Sequence, residues 1–483
     1  MSESTHLWRW EDVARMAGAR PAAARTPGGE EVFSGVSFDS RTASPGEIFV
    51  ALKGDVHDGH DHIAQALARG ASGVLLDASR WDGDPSFSRL EKQGRAAWLL
   101  VDDTLRAVQA WGRSWRLALD PVTFAVTGST GKTTTKDLMA SAVSPFGPAC
   151  AARASFNNDV GVPRTLLELR DHHTFLIAEI GMNHPGEIAR LVDLVRPDVA
   201  VITSVGSAHV GELGGHDAIM RAKLEITQGL DPSGCLVLPD EPARLLEEAR
   251  RTWKGRILVF GGSSRAEVRL AGAPSWSVGG TRMEVEGLPR PVEVKILGRG
   301  APTAVLAALA ACKALALPLE EAAQALSQAP PAAGRMVSTE LGSIRVLQDF
   351  YNASPESSLA AVEFLVNVPW DGKRYLAFGG MAELGAFSRP CHEEVGRAAA
   401  SCDGAFFYGA EARWSHEACA RAGGSSSHYD DKDALVRDLA GALRPGDLVL
   451  IKGSRRSAME TVFASLRGLE GRLPAGGEGD GSS

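Results

Sequence analysis

The sequence predicts an α/β protein with three domains: a small N-terminal α/β domain, a central domain built on a parallel sheet of the P-loop ATPase type, and a C-terminal Rossmann-like domain. With 483 residues, the chain is too long for one hydrophobic core. Short apolar segments alternate with helical segments in two separate blocks, which is typical of parallel sheets covered on both faces. The first of these blocks opens with a glycine-rich turn between a strand and a helix.

The small N-terminal domain is predicted to span residues 1–119. The segment Asp77–Arg95 is rich in Gly, Pro, Ser and charge, so we expect a loop there. Thr104–Leu119 has the apolar spacing of an amphipathic helix that leads into the next domain. The strand candidates and one alanine-rich helix are Val36–Arg41, Ile48–Gly54, Gly73–Leu76 and, for the helix, Ile63–Arg69.

Residues 120–331 predict the central domain, with Pro330–Gly334 as a linker. Weaker strands near Val268 and in Met283–Val294 are expected to be antiparallel. Helices are expected at Lys136–Val143, Ala301–Ala316 and Leu319–Ala329. The buried-strand candidates are Thr123–Thr127, Thr174–Glu179, Val199–Thr203, Cys235–Leu238 and Arg256–Phe260.

A second doubly wound unit is predicted to span residues 332–473. Helices are expected from about Glu356, Arg389, Ala412, Lys432 and Ser457. The strand candidates between them are Ile344–Gln348, Arg374–Phe378, Gly404–Tyr408 and Asp447–Ile451. The tail, residues 474–483, is rich in Gly and Ser, and we expect it to be disordered.

Composition narrows the class of protein. A formal net charge of −8 argues against a nucleic-acid-binding protein. The six cysteines are scattered without a C-x-x-C pair, which fits a reducing compartment and no structural zinc. Met1–Asp12 lacks the apolar region of a signal peptide, and no apolar run reaches membrane-spanning length. We therefore expect a cytoplasmic protein without a membrane span.

The glycine-rich turn predicts a phosphate site. Backbone N–H groups at the start of a helix that follows a strand can surround a phosphate. Lys132 would reach the terminal phosphates and the Thr133 hydroxyl would bind Mg²⁺. The usual motif has four residues between its first glycine and Gly-Lys, whereas this chain has two. The residues expected to bind ATP phosphates are Gly128, Ser129, Thr130, Gly131, Lys132, Thr133 and Thr134.

Polar residues after the next strands extend this site. Ligands of open parallel sheets bind at the carboxyl ends of the strands. Glu179 ends one strand, His209 follows another, and Lys223 lies in a helix shortly after. Alternatives stay open at this point: Glu179 could cap a helix, His209 could be structural, and Lys223 could be solvated. Behind a phosphate loop, the three together indicate a metal–nucleotide site.

The C-terminal block adds charged candidates. Arg335 follows the linker, and Lys452 ends the last strong strand. Both could neutralise the charge of a nucleotide or an acyl phosphate. Asp349 could accept hydrogen bonds from ribose hydroxyls or hold a cation, although its place at a turn also suits turn formation or helix capping.

These motifs, in this order, resemble the Mur ligase family over nearly the whole chain. Asp39-Ser40-Arg41, Pro45–Gly54 and Asp58-Gly59-His60 are similar to the family's uridine-nucleotide-binding domain. Ser155–Pro163, Tyr351-Asn352-Ala353 and Met381–Gly385 are similar to the family members that add D-alanyl-D-alanine. The resemblance implies that substrate binds at Ser40, Arg41, Lys53, Asn157, Asn158, Tyr351 and Asn352.

The resemblance also implies a reaction. ATP would phosphorylate the terminal carboxylate of UDP-N-acetylmuramoyl (UDP-MurNAc)-tripeptide, and the amine of D-Ala-D-Ala would displace the phosphate through a tetrahedral intermediate. ATP and Mg²⁺ are the implied cofactors, and a monomer is expected. Lys132, Glu179, His209 and Lys223 would be catalytic. The implied metal ligands are Thr133, Glu179, His209 and, if carbamylated, Lys223.

Some positions depart from the family pattern. The His-Asn-x-x-Asn stretch that commonly contributes to the adenine pocket is replaced by Gly298–Ala304. Gln348 stands where an aspartate is usual, and Ser354 where an asparagine is common. Because the charged groups needed for phosphoryl transfer remain, we expect an active ligase. The alternatives are a related ligase with another acceptor, which includes folate polyglutamylation enzymes, and an impaired homologue that binds muramoyl peptides.

Overall fold

The computed structural model describes residues 8–22, 32–54, 56–94, 96–153, 155–206 and 215–469. Within them, the chain forms an α/β structure whose main sheets are parallel or largely parallel, as the sequence predicted. No helix in these ranges is long and apolar enough to cross a membrane. The domain limits at residues 119, 331 and 473 stay a prediction.

The N-terminal unit contains a five-stranded sheet and a two-stranded ribbon. Its strands are β1 (Trp8–Arg9), β2 (Arg20–Pro21), β3 (Val32–Phe33), β4 (Gly35–Ser37), β5 (Glu47–Val50), β6 (Gly73–Asp77) and β7 (Ala97–Val101). Its helices are α1 (Trp10–Ala17), α2 (Ile63–Ala68), α3 (Ala78–Gly83), α4 (Pro85–Gln93) and α5 (Thr104–Leu119), with a 3-10 turn at Gly59–His62. The sheet order is β2-β7-β6-β5-β4, with only β2 antiparallel to its neighbour, and β1 pairs with β3.

The expectation of a loop at residues 77–95 was wrong, because α3 and α4 lie there. Pro85 occupies the first turn of α4, where its missing N–H costs nothing. The carboxylate of Asp84 caps that helix by accepting a hydrogen bond from the Ser86 N–H at 2.8 Å. Phe87 is buried against Trp98 of the sheet. Polar residues on the outer faces of two short helices therefore gave this segment the composition of a loop.

The central unit is built on a seven-stranded sheet that is parallel throughout. Its strands are β8 (Val122–Thr127), β9 (Ala149–Ala151), β10 (Phe175–Glu179), β11 (Val199–Ile202), β12 (Cys235–Pro239), β13 (Arg256–Gly261) and β14 (Val268–Arg269). Their order is β14-β13-β12-β11-β8-β10-β9. A separate antiparallel sheet holds β15 (Ser275–Ser277), β16 (Gly280–Met283) and β17 (Val292–Val294).

The helices of the central unit cover both faces of this sheet. They are α6 (Lys132–Val143), α7 (Gly161–Leu167), α8 (Glu187–Val195), α9 (His216–Leu224), α10 (Ala243–Thr252), α11 (Gly300–Ala314) and α12 (Leu319–Leu326), with 3-10 turns at Ser144–Phe146 and Glu225–Gln228. Phe124 and Val126 of β8 pack with α6 and α11, whereas Ala125 packs with the opposite layer. The central strands are thus buried on both sides.

The antiparallel direction expected for the strand near Val268 was also wrong. It runs parallel to β13, with Phe260 opposite Val268. A turn closed by the hydrogen bond from the Ala266 N–H to the Ser263 carbonyl redirects the chain, which then rejoins the sheet edge in the same direction. The antiparallel expectation for Met283–Val294 was right for β16 and β17.

The C-terminal unit holds a six-stranded sheet between two helical layers. Its strands are β18 (Val337–Leu341), β19 (Ile344–Asp349), β20 (Arg374–Phe378), β21 (Gly404–Tyr408), β22 (Ser426–Tyr429) and β23 (Leu448–Lys452). Its helices are α13 (Pro355–Asn367), α14 (Ser388–Ala399), α15 (Ala412–Arg421), α16 (Lys432–Ala442) and α17 (Glu460–Gly468), with 3-10 turns at Gly385–Phe387 and Arg455–Ser457. The order is β18-β19-β23-β20-β21-β22, with only β18 antiparallel.

Candidate active site

The glycine-rich turn lies between the end of β8 and the start of α6, where the sequence placed it. A Cβ on Gly128 would fall 1.9 Å from the Thr203 hydroxyl oxygen, so only glycine fits against the neighbouring strand end. Gly131 adopts φ +78° at the helix start, a conformation that favours glycine. The Thr203 hydroxyl donates to the Thr130 carbonyl at 2.6 Å. These contacts fix the conformation of the loop that leads into α6.

Lys132 points back over this loop. Its ammonium donates a hydrogen bond to the Gly128 carbonyl at 2.7 Å. Burial lowers the pKa of Lys132, and the nearby charge of Glu179 partly opposes that shift. The ammonium is therefore held beside the turn, in the position where a phosphate would meet it.

Thr133 and Glu179 form the centre of the site. The Thr133 hydroxyl donates to Glu179 Oε2 at 2.7 Å, and the Asn157 amide donates to Glu179 Oε1 at 2.8 Å. Glu179 is only 1% exposed. Both carboxylate oxygens are thus fixed at the carboxyl edge of the sheet, one by the first turn of α6 and the other by the loop before α7, so helix capping is not the role of Glu179.

Arg335, the first residue after the linker, contacts the centre of the site. Its guanidinium donates to the Thr133 hydroxyl oxygen at 3.0 Å and to Ser155 Oγ at 3.3 Å. Its Cζ lies 4.1 Å from the centroid of the Tyr351 ring, which holds the guanidinium by a cation–π contact. A second cation is therefore positioned at the phosphate loop beside Lys132.

Lys452 and Asp349 form a buried ion pair nearby. They are opposite each other in the register of β19 and β23, and Lys452 Nζ donates to Asp349 Oδ2 at 2.6 Å. The same ammonium donates to the Asn352 carbonyl at 3.2 Å. Lys452 is 1% exposed. The pair closes the carboxyl edge of the C-terminal sheet where that sheet faces the phosphate loop.

Lys223 is buried in α9, with 2% exposure. Burial lowers its pKa well below the usual value, and the charge of Lys132 lowers it further. The alternative that Lys223 is solvated is therefore wrong. His209, expected beside it, lies outside the described residues.

A cleft of about 830 Å³ joins these groups. Of the residues predicted to bind ATP, metal or substrate, the structure brings the following to its wall: Ser129, Thr130, Gly131, Lys132, Thr133, Thr134, Asn157, Asn158, Glu179, Arg335, Asp349, Tyr351, Asn352 and Lys452. Gly128 and Lys223 are not part of that wall; Gly128 accepts the hydrogen bond from Lys132, and Lys223 is near enough to Lys132 for that charge to lower its pKa.

The three N-terminal candidates have partners within their own unit. The Ser40 hydroxyl donates to the Gln65 side chain at 2.7 Å. The Arg41 guanidinium pairs with Asp39 at 2.7 Å and is 78% exposed. Lys53 forms a bridge to Asp58 in the backbone pairing. They are not part of the cleft wall, and their substrate role stays a prediction.

Sequence reasoning missed parts of the site that depend on tertiary contacts. Asn158 was predicted as a substrate residue, but the hydrogen bond that its side-chain oxygen accepts from the Gly161 N–H at 2.9 Å, at the start of α7, was not predicted. Asp159 accepts two hydrogen bonds from the Arg190 guanidinium, at 2.9 and 2.7 Å. Ser155, 3.3 Å from the Thr133 hydroxyl oxygen, was not singled out. Its place in the Ser155–Pro163 stretch was the one signal that could have found it.

The donor set fits Mg²⁺. A threonine hydroxyl and a carboxylate are hard oxygen ligands of the kind that Mg²⁺ prefers. Among the described residues there is no group of three His, Cys, Asp or Glu side chains that could hold a metal, so a metal bound here would rely on the hydroxyl of Thr133, on Glu179 and on further ligands. These oxygen atoms argue against a thiolate or imidazole zinc site in the described part of the cleft.

Comparison with known proteins gives matches over most of the chain. The Mur ligase family catalytic domain matches residues 32–96, the Mur ligase middle domain residues 126–312, and the Mur ligase glutamate ligase domain residues 334–455. The UDP-N-acetylmuramoyl-tripeptide–D-alanyl-D-alanine ligase of Synechocystis sp. is 35% identical over 436 residues, which cover 89% of this chain and 91% of that protein.

Solved structures agree with these matches. The crystal structure of MurF from Acinetobacter baumannii superposes with a TM-score of 0.82 at 29% identity, covering 95% of this chain and 99% of that one. MurF ligase from Thermotoga maritima, in complex with ADP, gives a TM-score of 0.76 at 26% identity, covering 91% of this chain and 98% of that one. Matched along its length in sequence and in fold, the chain belongs to the Mur ligase family.

Proposed function

We propose that this protein is an ATP-dependent ligase that adds D-alanyl-D-alanine to UDP-MurNAc-tripeptide. The observation that carries the proposal is the contact of Arg335 with the Thr133 hydroxyl at 3.0 Å. It places a cation from the C-terminal side of the linker on the phosphate loop of the central unit. A simple phosphohydrolase or kinase would leave the C-terminal unit without a role. The Synechocystis relative, named as a ligase of this specificity, supports the choice of substrates.

The first step transfers the γ-phosphoryl group. A carboxylate oxygen of the tripeptide attacks the γ-phosphorus, the bond to the β,γ-bridging oxygen breaks, and ADP leaves as an acyl phosphate forms. Lys132 is held at the Gly128 carbonyl and Arg335 at the Thr133 hydroxyl, so both can neutralise charge on the transferring group. The protein's main contribution is to orient the reactants and to keep these charges in place.

Mg²⁺ is the cation that we propose for the Thr133 and Glu179 oxygens. When bound, it supplies charge neutralisation at the phosphates of ATP. Asn157 holds the second oxygen of Glu179 at 2.8 Å and so fixes which oxygen faces Thr133. His209, which the family resemblance also implies as a ligand, stays a prediction.

The second step forms the amide. The neutral amine of D-Ala-D-Ala attacks the acyl carbon, and the tetrahedral intermediate expels inorganic phosphate while the nitrogen loses a proton. Tyr351 and Asn352 line the cleft on its C-terminal side, where the incoming dipeptide would enter. Asp349 is occupied by Lys452, so we assign this pair to shaping the cleft rather than to proton transfer.

Lys223 is proposed to carry a carbamate. Burial and the charge of Lys132 lower the pKa of Lys223, which increases the share of its uncharged amine, the form that attacks CO₂. The uncharged amine attacks CO₂, the nitrogen–carbon bond forms and the nitrogen loses one proton, which leaves a carbamate anion on Lys223. A carbamate anion would be attracted to the ammonium of Lys132, which disfavours a protonated Lys223.

The test is ADP release with both substrates present or with one omitted. The UDP-linked tripeptide is supplied with either lysine or diaminopimelate at its third position, because the sequence leaves that residue open. We expect ADP formation to require both the tripeptide and D-Ala-D-Ala, and Lys132→Met to abolish it. Turnover with a single amino acid in place of the dipeptide would instead indicate a ligase with another acceptor. Tight tripeptide binding without any turnover would indicate an impaired homologue.

A further inference from the structure

Arg164 of α7 lies between two aromatic rings from different units of the fold. Its Cζ is 4.6 Å from the centroid of the Phe156 ring and 5.8 Å from that of the Phe38 ring. A guanidinium within about 6 Å of an aromatic face is attracted to it. Phe38 belongs to the N-terminal unit and Phe156 to the loop before α7, so a single side chain joins the two units.

The Phe156 end of this contact leads into the candidate active site. Its neighbour Ser155 lies 3.3 Å from the Thr133 hydroxyl oxygen. Its other neighbour, Asn157, donates to Glu179 at 2.8 Å. A Cβ on Gly161 would fall 2.6 Å from Phe156 Cα, so this backbone is packed tightly on the start of α7. A shift of Phe156 would therefore move both flanking residues.

The Phe38 end leads to the segment that resembles a uridine-nucleotide site. Phe38 precedes Asp39, whose carboxylate accepts hydrogen bonds from the Arg41 guanidinium at 2.9 and 2.7 Å. These hydrogen bonds lower the pKa of Asp39 to about 2, and the charge of Arg164 contributes. Arg164 is thus connected electrostatically, as well as by ring contact, to the 38–41 segment.

We propose that Arg164 is a positioning residue that couples occupancy of the 38–41 segment to the placement of Ser155 and Asn157 around Thr133 and Glu179. The proposal rests on the proposed function, because it takes the UDP portion of the substrate to bind the N-terminal unit and the ATP phosphates to bind the central unit. It gives a role to a residue that does not line the cleft. Coupling of this kind is a difference in binding free energy and is the same measured from either site.

The test compares Arg164→Met and Arg164→Lys with a matched control, Arg153→Met. Methionine keeps an unbranched apolar stem against the rings but removes the cation, whereas lysine keeps the cation. Arg153 is 75% exposed and pairs with Glu168, the carboxylate that Arg164 also approaches. The control therefore removes a neighbouring charge and leaves the contacts of Arg164 with Phe38 and Phe156 in place.

Calorimetric titration of UDP-MurNAc-tripeptide is carried out with and without a magnesium complex of a non-hydrolysable ATP analogue, and kcat is measured alongside. In the wild-type protein and in Arg153→Met, we expect the analogue to change the affinity for the UDP substrate about tenfold. In Arg164→Met, that change should fall below about threefold and kcat should fall about tenfold, with the affinity for either ligand alone and the melting temperature little changed. Arg164→Lys should restore most of the coupling.

The inference would be overturned if the ATP analogue changed the affinity for the UDP substrate equally in the wild type and in Arg164→Met. It would also be overturned if a wild type that turns over showed no such change. Either result would leave the proposed function standing. A purely structural role would lower the melting temperature and leave kcat per folded molecule unchanged, which would also overturn the inference. If the wild type neither binds the UDP substrate nor releases ADP, the proposed function itself fails, and the inference falls with it.

Discussion

Replacing Asp349 by alanine should loosen the C-terminal sheet, because it removes the anion that accepts a hydrogen bond from a buried ammonium. Lys452 is 1% exposed and its Nζ lies 2.6 Å from Asp349 Oδ2. The side chain of Asp349 is itself 14% exposed. After the substitution, that ammonium keeps its hydrogen bond to the Asn352 carbonyl at 3.2 Å.

The size of the effect follows from this burial. Removing one partner of a buried ion pair costs about 3–5 kcal/mol, because the other charge stays desolvated. The surviving carbonyl acceptor favours the lower end, about 3 kcal/mol, or roughly a 150-fold change in the equilibrium for opening the strands. Asp349→Asn should cost less, since its amide oxygen can still accept from Lys452.

Hydrogen exchange read by mass spectrometry measures that opening in the intact protein. We expect faster exchange in β19 and β23, the two strands that the pair joins, and little change in the central sheet. The matched control is Glu293→Ala, which removes an ion pair of 2.8 Å with Arg282 in which both side chains are more than half exposed. Such a pair should change exchange less than about threefold. A change below about tenfold in β19 and β23 for Asp349→Ala would refute the reasoning.

Substitutions at three further positions probe the site by steady-state ADP formation. Lys132→Met should reduce kcat at least about 100-fold by removing charge from the transferring phosphoryl group, and near-normal rates would contradict its assignment. Because burial lowers the pKa of Lys132, its ammonium is lost at lower pH than that of an ordinary lysine, so activity should decline on the alkaline side below the pH at which an ordinary lysine titrates. Lys132→Arg should move any surviving decline upward. Asn157→Leu should lower kcat about 10- to 100-fold, since it removes a hydrogen bond to the buried Glu179, and an unchanged kcat would show that Glu179 needs no such support. Lys223→Ala should be severely impaired and partly rescued by short carboxylic acids; full activity without rescue would remove Lys223 from the site.

Several features were predictable because they depend on local sequence. Apolar strands buried on both faces indicated the parallel sheets, and the strand–glycine–helix order located the phosphate loop. Polar residues at strand ends converge because the carboxyl ends of parallel strands share one edge. That rule placed Glu179 in the central sheet, and it also placed Asp349 and Lys452, which the structure joins at 2.6 Å.

Other features depend on contacts between distant segments. Polar outer faces made α3 and α4 read as a loop, although Phe87 anchors α4 to Trp98. The direction of β14 was set by a short turn rather than by its own residues. The Arg164 contact with two rings required the relative position of two units, which periodicity does not encode.

The most direct test of the account follows an oxygen atom. UDP-MurNAc-tripeptide labelled with ¹⁸O in its terminal carboxylate is incubated with ATP, Mg²⁺, D-Ala-D-Ala and the protein, and the products are analysed by mass spectrometry. If ligation proceeds through an acyl phosphate, each amide formed leaves one labelled oxygen in the inorganic phosphate that is released. Phosphate without label, or phosphate release without the D-Ala-D-Ala adduct, would contradict the proposed function.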